Sequence, residues 1–313
     1  MTKLGTSDLD IFPINLGGNV FGWTANRDAS FAILDAFVAG GGNFIDTADS
    51  YSAWVPDNRG GESETIIGEW LADRKPQNVI IATKVGQHPE YRGQSASNVR
   101  AAAEASLKRL GVEAIDLYYI HEDDQSTPLE ETVEAHGQLV SDGLVRYTAL
   151  SNFSAERIRE WHRVAAKQDV PPPVALQPKF NLLAREPFES ELQSVAQDFG
   201  LAVLPYSSLA SGFLTGKYRS QQDIEQGSSP RAGGLSTYAT ETGFALLDLL
   251  ERIANEHGAS ISAVALAALR SQSTVAAPIA SASRVDQVAD LLASATLELG
   301  AEGLAEIDRL TRA

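Results

Sequence analysis

The chain has 313 residues, 43% of them hydrophobic and 21% charged, with no cysteine and a formal net charge of −16. The missing cysteines exclude disulfides, thiolate metal sites and cysteine nucleophiles, and fit a reducing compartment. The acidic balance argues against a nucleic-acid partner, because such a surface repels phosphate backbones.

In chain order, short β-rich runs appear at 11–16, 43–48, 79–85, 115–120, 145–151, 174–180, 201–207 and 274–281. Most are apolar on both faces, as parallel strands covered by helices must be. Helical stretches lie between them. Ser97-Asn98 precedes an Ala-rich stretch over 99–109 that Gly111 stops. Pro128 opens 129–141 and Gly143 closes it, and Ser154 is a cap for 155–167. The first seven runs start roughly 30 residues apart, the size of one βα unit. Eight such runs with no Pro- or Ser-rich linker predict a single-domain (β/α)8 TIM barrel over residues 1–313. The rival doubly wound sheet lacks its G-x-G-x-x-G turn after the first strand. The widest gap, 208–273, holds two helical stretches and a Gly/Ser/Pro-rich loop at 227–234. MTKLGTSDLD has no apolar signal-peptide core. No apolar run approaches the roughly 20 residues needed to cross a bilayer, so a cytoplasmic protein without a membrane partner is expected.

Active sites of such barrels sit at the C-terminal ends of the strands. Those ends carry Gly17-Gly18-Asn19, Asp46 with Tyr51 just beyond, Lys84, His121, Ser151-Asn152, Gln177, Tyr206-Ser207 and Ser281. Four of them make a chemical unit. Tyrosine titrates near 10, too high for easy proton transfer at neutral pH. Lys84 is expected to stabilise the Tyr51 phenolate and lower that pKa. Asp46 would hold the ammonium, and His121 would orient a substrate oxygen towards Tyr51. A tyrosine acid without a nucleophile elbow suits carbonyl reduction with hydride from a cofactor. No H-x-H or H-E-x-x-H pair occurs, so no metal is expected. Trp23 and Trp54 fall in mouth loops and would wall an apolar substrate pocket.

At these residues the chain resembles the aldo-keto reductases, NAD(P)-dependent enzymes on a (β/α) barrel. NFIDTADSY (43–51), IATK (81–84) and DLYYIH (116–121) resemble the family's Asp-plus-Tyr, lysine and histidine segments. SNFS (151–154), LQPKFN (176–181), LPYSSLASGFLTGKY (204–218) and PIASASRVDQV (278–288) follow in the family's order. GGNVFGW (17–23) and GGESETIIGEW (60–70) resemble its bacterial, short-loop subset.

The resemblance implies that Tyr51 is the acid/base, Lys84 and Asp46 its tuning pair, and His121 the substrate-orienting residue. It implies that Ser151, Asn152 and Gln177 bond the nicotinamide carboxamide, with Tyr206 stacked on the ring. Ser207, Leu209, Gly212, Leu214 and Lys217 would line the pyrophosphate, and Ser283, Arg284 and Gln287 the adenosine phosphate. Gly18, Asn19, Asp46 and Ser281 complete the cofactor-binding set. Two positions depart from the family: Ser281 stands where Gly or Lys is frequent, and Phe180 where Tyr is frequent. Arg284 is the local cation for a 2′-phosphate, so NADPH is expected, with NADH the alternative. The expected partner is a small carbonyl or alcohol, and oligomeric state is left open. Two other readings remain: an NAD(P)-dependent sugar or polyol dehydrogenase, and a cofactor-sensing regulatory subunit like those of potassium channels. Against the last, the first run begins near residue 11, so an added N-terminal segment for partner engagement is not expected.

Overall fold

The computed structural model describes residues 1–227 and 234–312. Eight parallel strands build the barrel: β3 (Asn15–Gly17), β4 (Phe44–Asp46), β5 (Ile80–Val85), β6 (Ile115–Ile120), β7 (Val145–Ser151), β8 (Ala175–Gln177), β9 (Ala202–Val203) and β10 (Ile279–Ala280). They pair in the order β10-β3-β4-β5-β6-β7-β8-β9. The last seam is irregular. Val203 N donates to Thr274 O, Ala276 N to Val203 O and Ile279 N to Pro205 O, each at 2.9 Å.

The eight runs mark the strands, but proline trims them. A run expected over 11–16 divides around Pro13, which has no N–H to donate. Its start becomes β2 (Asp10–Ile11), paired antiparallel with β1 (Thr2–Lys3). Leu4, Leu9 and Ile11, all buried, join the cluster that fills the barrel interior. The runs at 174–180 and 274–281 shrink likewise, to β8 ending before Pro178 and to β10 starting after Pro278.

Helices α1 (Arg27–Ala39), α2 (Glu62–Arg74), α3 (Ala96–Leu110), α4 (Leu129–Ser141), α5 (Ala155–Gln168) and α6 (Gln193–Phe199) alternate with the strands. Ser154 caps α5 as expected, its hydroxyl accepting from Arg157 N at 3.2 Å. The start of α3 is earlier than 99: Ser95 is its N-cap, and Gly111 closes it at φ +67. The stretch between β9 and β10 is richer than two helices. It holds a 3-10 turn (Ala210–Thr215), α7 (Gln221–Gln226), α8 (Glu241–His257) and α9 (Ile261–Arg270). The loop expected at 227–234 lies, apart from its two ends, outside the described residues. After β10 come α10 (Val288–Ser294) and α11 (Ala301–Thr311). No helix among the described residues is long and apolar enough to cross a membrane.

Alternate residues of a strand face one side, and the barrel shows what that does. The inward columns run Phe44–Asp46, Ile80–Ala82–Lys84, Leu117–Tyr119–His121, Ala149–Ser151, Ala175–Gln177, Leu204–Tyr206 and Ala277–Ile279–Ser281. Their lower members form one apolar cluster inside the barrel. Their upper members are the polar groups read from the sequence. Outward residues such as Tyr118 and Ile81 pack under the helices instead.

Candidate active site

A cavity of about 610 Å³ opens at the ends of these columns. Lys84 lies at its base, fully buried. All three of its donors are engaged: Asp46 Oδ2 accepts at 2.6 Å, Thr47 O at 2.7 Å and the Tyr51 hydroxyl at 2.7 Å. Tyr51 in turn donates to Asp46 Oδ2 at 3.1 Å. Gln177 Nε2 donates to Asp46 Oδ1 at 2.9 Å, so both carboxylate oxygens are bonded. The four catalytic candidates thus meet, with the Tyr51 and His121 rings 6.2 Å apart.

The electrostatics correct one expectation. Lys84 does not leave the Tyr51 phenol with a lowered pKa; burial pushes it well above 10.0, and the adjacent Asp46 carboxylate adds to that. Tyr51 therefore holds its proton. Burial pulls Lys84 down, opposed by Asp46. Burial also holds His121 well below 6.5, with Lys84 contributing, so its imidazole is neutral. His121 Nδ1 is buried with no hydrogen-bond partner among the described residues.

Around this centre, Ser151 Oγ donates to Gln177 O at 3.0 Å, and Asn152 Nδ2 donates to His121 O at 2.9 Å. The Tyr206 hydroxyl donates to Asn152 Oδ1 at 2.9 Å. Three non-glycine residues that line the cavity, Asn152, Ser207 and Ser211, have φ between +56 and +59. Such strain gathers at functional sites, where the surroundings over-determine the backbone. Gly212, at φ +92, faces the cavity too; a side chain there would stand 3.4 Å from Lys217 Nζ.

A model of the aldo/keto reductase family matches residues 13–312. The chain belongs to the aldo/keto reductase family. It is 32% identical over 303 residues to the "Probable voltage-gated potassium channel subunit beta" of Oryza sativa subsp. japonica, covering 92% of this chain and 88% of that one. It is 30% identical over 316 residues to "Aldo-keto reductase str7" of Strobilurus tenacellus, covering 99% and 89%. "Protein tas" of Escherichia coli (strain K12) is 31% identical over 333 residues, covering 98% and 96%. The chain is therefore an oxidoreductase enzyme of a family that generally uses NAD(P)H.

Within this aldo/keto reductase, most of the expected cofactor residues line the cavity: Asn19, Asp46, Ser151, Asn152, Gln177 and Tyr206 at the centre, then Ser207, Leu209, Gly212 and Lys217. Ser281, Ser283, Arg284 and Gln287 line it on the β10 side. Ser281 bonds Asn19 Oδ1, and the Ser283 hydroxyl lies 2.9 Å from that of Thr24. Gln287 Oε1 accepts from Ser283 N at 2.8 Å and Arg284 N at 3.2 Å. Arg284 reaches back to Asp286, with contacts of 3.0 and 2.8 Å.

Gly18, Leu214 and Trp23 stay out of the cavity lining, as does Lys84 beneath Asp46 and Tyr51. Gly18 is packed beneath the cavity, where a Cβ would come 2.9 Å from Ser63 Oγ. Leu214 is buried in the apolar cluster around Phe213 and Leu246. Trp23 braces Trp54 edge-on at 5.5 Å, and Trp54, 53% exposed, forms the wall. Phe180 is buried against Phe188 and does not reach the cavity, so its departure from tyrosine leaves the lining unaltered. Thr24, Gln87, Ser208, Ser211 and Thr215 line the cavity without having been read from the sequence. Gln87 stands two residues past the end of β5, within reach of a reading that followed each loop one step further. Among the described residues no cluster of His, Cys, Asp and Glu could hold a metal.

Proposed function

We propose that the protein reduces aldehydes or ketones to alcohols with NADPH, and that Tyr51 is the general acid. The observation that carries this reading is the Tyr51 hydroxyl, bonded at the cavity base to both Lys84 and Asp46. The donor set suits the cofactor. Carboxamides and hydroxyls of Ser151, Asn152 and Gln177 match a nicotinamide carboxamide, and Tyr206 offers a ring for stacking. The space kept open at Gly212 lies in front of Lys217, which with Ser207 and Leu209 would hold a pyrophosphate; Leu214, with its side chain buried and its N–H bonded to Leu209 O, would not. Ser283, Arg284 and Gln287 would hold the adenosine end, and the Arg284 guanidinium favours NADPH over NADH.

A bound nicotinamide supplies hydride to the carbonyl carbon. Tyr51 gives its proton to the carbonyl oxygen. Lys84 stabilises the phenolate left behind, and Asp46 keeps Lys84 charged. With Nδ1 buried and without an acceptor, His121 best carries its proton on Nε2 and directs it at the same oxygen. In the alcohol-to-carbonyl direction the same residues act in reverse, with Tyr51 as base.

The test is NADPH oxidation with a reactive aromatic aldehyde by wild type and Tyr51→Phe. Turnover should fall about 100-fold or more, the usual contribution of a general acid, while NADPH still binds. Equal turnover would remove Tyr51 from the role. The likeness to the rice channel subunit favours a second reading, a cofactor sensor with little turnover. NADPH binding without turnover over a panel of carbonyl compounds and sugars would select it.

A further inference from the structure

We propose that Glu122 selects substrates by charge: the site takes neutral carbonyl compounds with hydroxyl-bearing tails and rejects those ending in carboxylate or phosphate. This rests on the reductase reading above. At the Tyr51 end of the cavity the other charges cancel. Lys84 is joined to Asp46 at 2.6 Å, and both are buried. Tyr51 and His121 are held uncharged by burial. Glu122 follows His121 directly, and its Oε2 accepts from Gln87 Nε2 at 3.0 Å. Gln87 lines the cavity beside Tyr51, Trp54 and His121.

No described cation lies within 4.0 Å of the Glu122 carboxylate; its neighbour Asp123 takes Arg157, which also bonds Glu160. The two cations on the cavity wall, Lys217 and Arg284, belong to the loops after β9 and β10, not to those after β5 and β6. Arg92, exposed on the loop after β5, lines a neighbouring pocket with Glu122 but makes no ion pair with it among the described residues. The Glu122 carboxylate therefore stands unpaired, one hydrogen bond behind Gln87 and whatever extends from the carbonyl past it. An anionic tail within a Debye length, about 8 Å at physiological salt, is repelled. A hydroxyl finds an acceptor in the Gln87 side-chain carbonyl, which lines the cavity while its amide nitrogen is engaged by Glu122.

Glu122→Gln removes the charge and keeps an acceptor for Gln87. The measurement is the ratio of kcat/KM for para-(hydroxymethyl)benzaldehyde over para-carboxybenzaldehyde. Alongside it, binding of benzyl alcohol and para-carboxybenzyl alcohol is followed by tryptophan fluorescence, which needs no turnover. Wild type should prefer the neutral compound by about tenfold in both readouts, the order expected of one like-charge contact in a partly screened site. The preference should shrink about fivefold in Glu122→Gln, and in wild type at about 0.5 M NaCl. A ratio unmoved by Glu122→Gln, or a wild-type preference for the carboxylate, overturns the proposal. Discrimination in binding without turnover of any aldehyde would sink the reductase reading and leave the role of Glu122 standing.

Discussion

Lys84 shows how one residue can be both a structural liability and a chemical asset. An ammonium without exposure is tolerable only because Asp46, Thr47 O and Tyr51 take its three protons. Removing one partner of such a pair strands the other charge. Lys84→Met should therefore lose turnover and also destabilise the fold by about 3–5 kcal/mol in urea titrations. The double variant Asp46→Asn/Lys84→Met should regain most of that stability while staying inactive. A double variant no more stable than Lys84→Met would show that the pair is not what holds the strand ends. The residue types were legible in the sequence because each ends an apolar run. The sense of the Tyr51 shift was not: it depends on how fully the phenol is buried and on which neighbour it faces, and strand spacing encodes neither. Arg284 is similar, since its contact with Asp286 is a matter of rotamers.

At the scale of elements, α4 places His136 inside the helix–strand layer, 5.8 Å from Tyr118 and 6.1 Å from Trp161. Its Nε2 lies 3.1 Å from Gln94 Oε1, and Nδ1 has no partner among the described residues. Burial lowers its pKa from 6.5 to about 3, so the native state holds it neutral while the unfolded chain protonates below 6.5. The unfolded state thus binds more protons as pH falls. His136 stabilises the fold fully above about pH 6.5, and that contribution declines by about 1.4 kcal/mol per pH unit down to about pH 3. Denaturation from pH 7 to pH 4 should show this slope, and His136→Gln should remove one proton from it. An unchanged slope would mean that His136 is not the responsible group. Element existence was readable wherever an apolar run stood between helix signals. Boundaries failed where proline removed a donor, at Pro13, Pro178 and Pro278, because hydropathy registers burial and not hydrogen bonding.

The whole molecule separates its two ends. The β1–β2 hairpin brings Leu4, Leu9 and Ile11 into the core, whereas the polar column tops form the cavity. Conserving the site therefore asks little of the plug, as expected for a barrel. Leu4→Ala should cost about 2–5 kcal/mol of stability, with kcat/KM for an aldehyde retained at low temperature. A large fall in kcat/KM at full folding would show the ends to be coupled. The link between Thr24 and Ser283, 259 residues apart, had no trace in the sequence, because it exists only once the barrel has closed. The inward columns have a further consequence. Each of the seven inward columns ends on a site side chain, so that part of the site is written seven times over in a reading frame of two. Inserting one residue into a single strand would turn that strand's last word outward and leave the other six intact. The chemistry can thus be revised one strand at a time, without redrafting the scaffold that presents it.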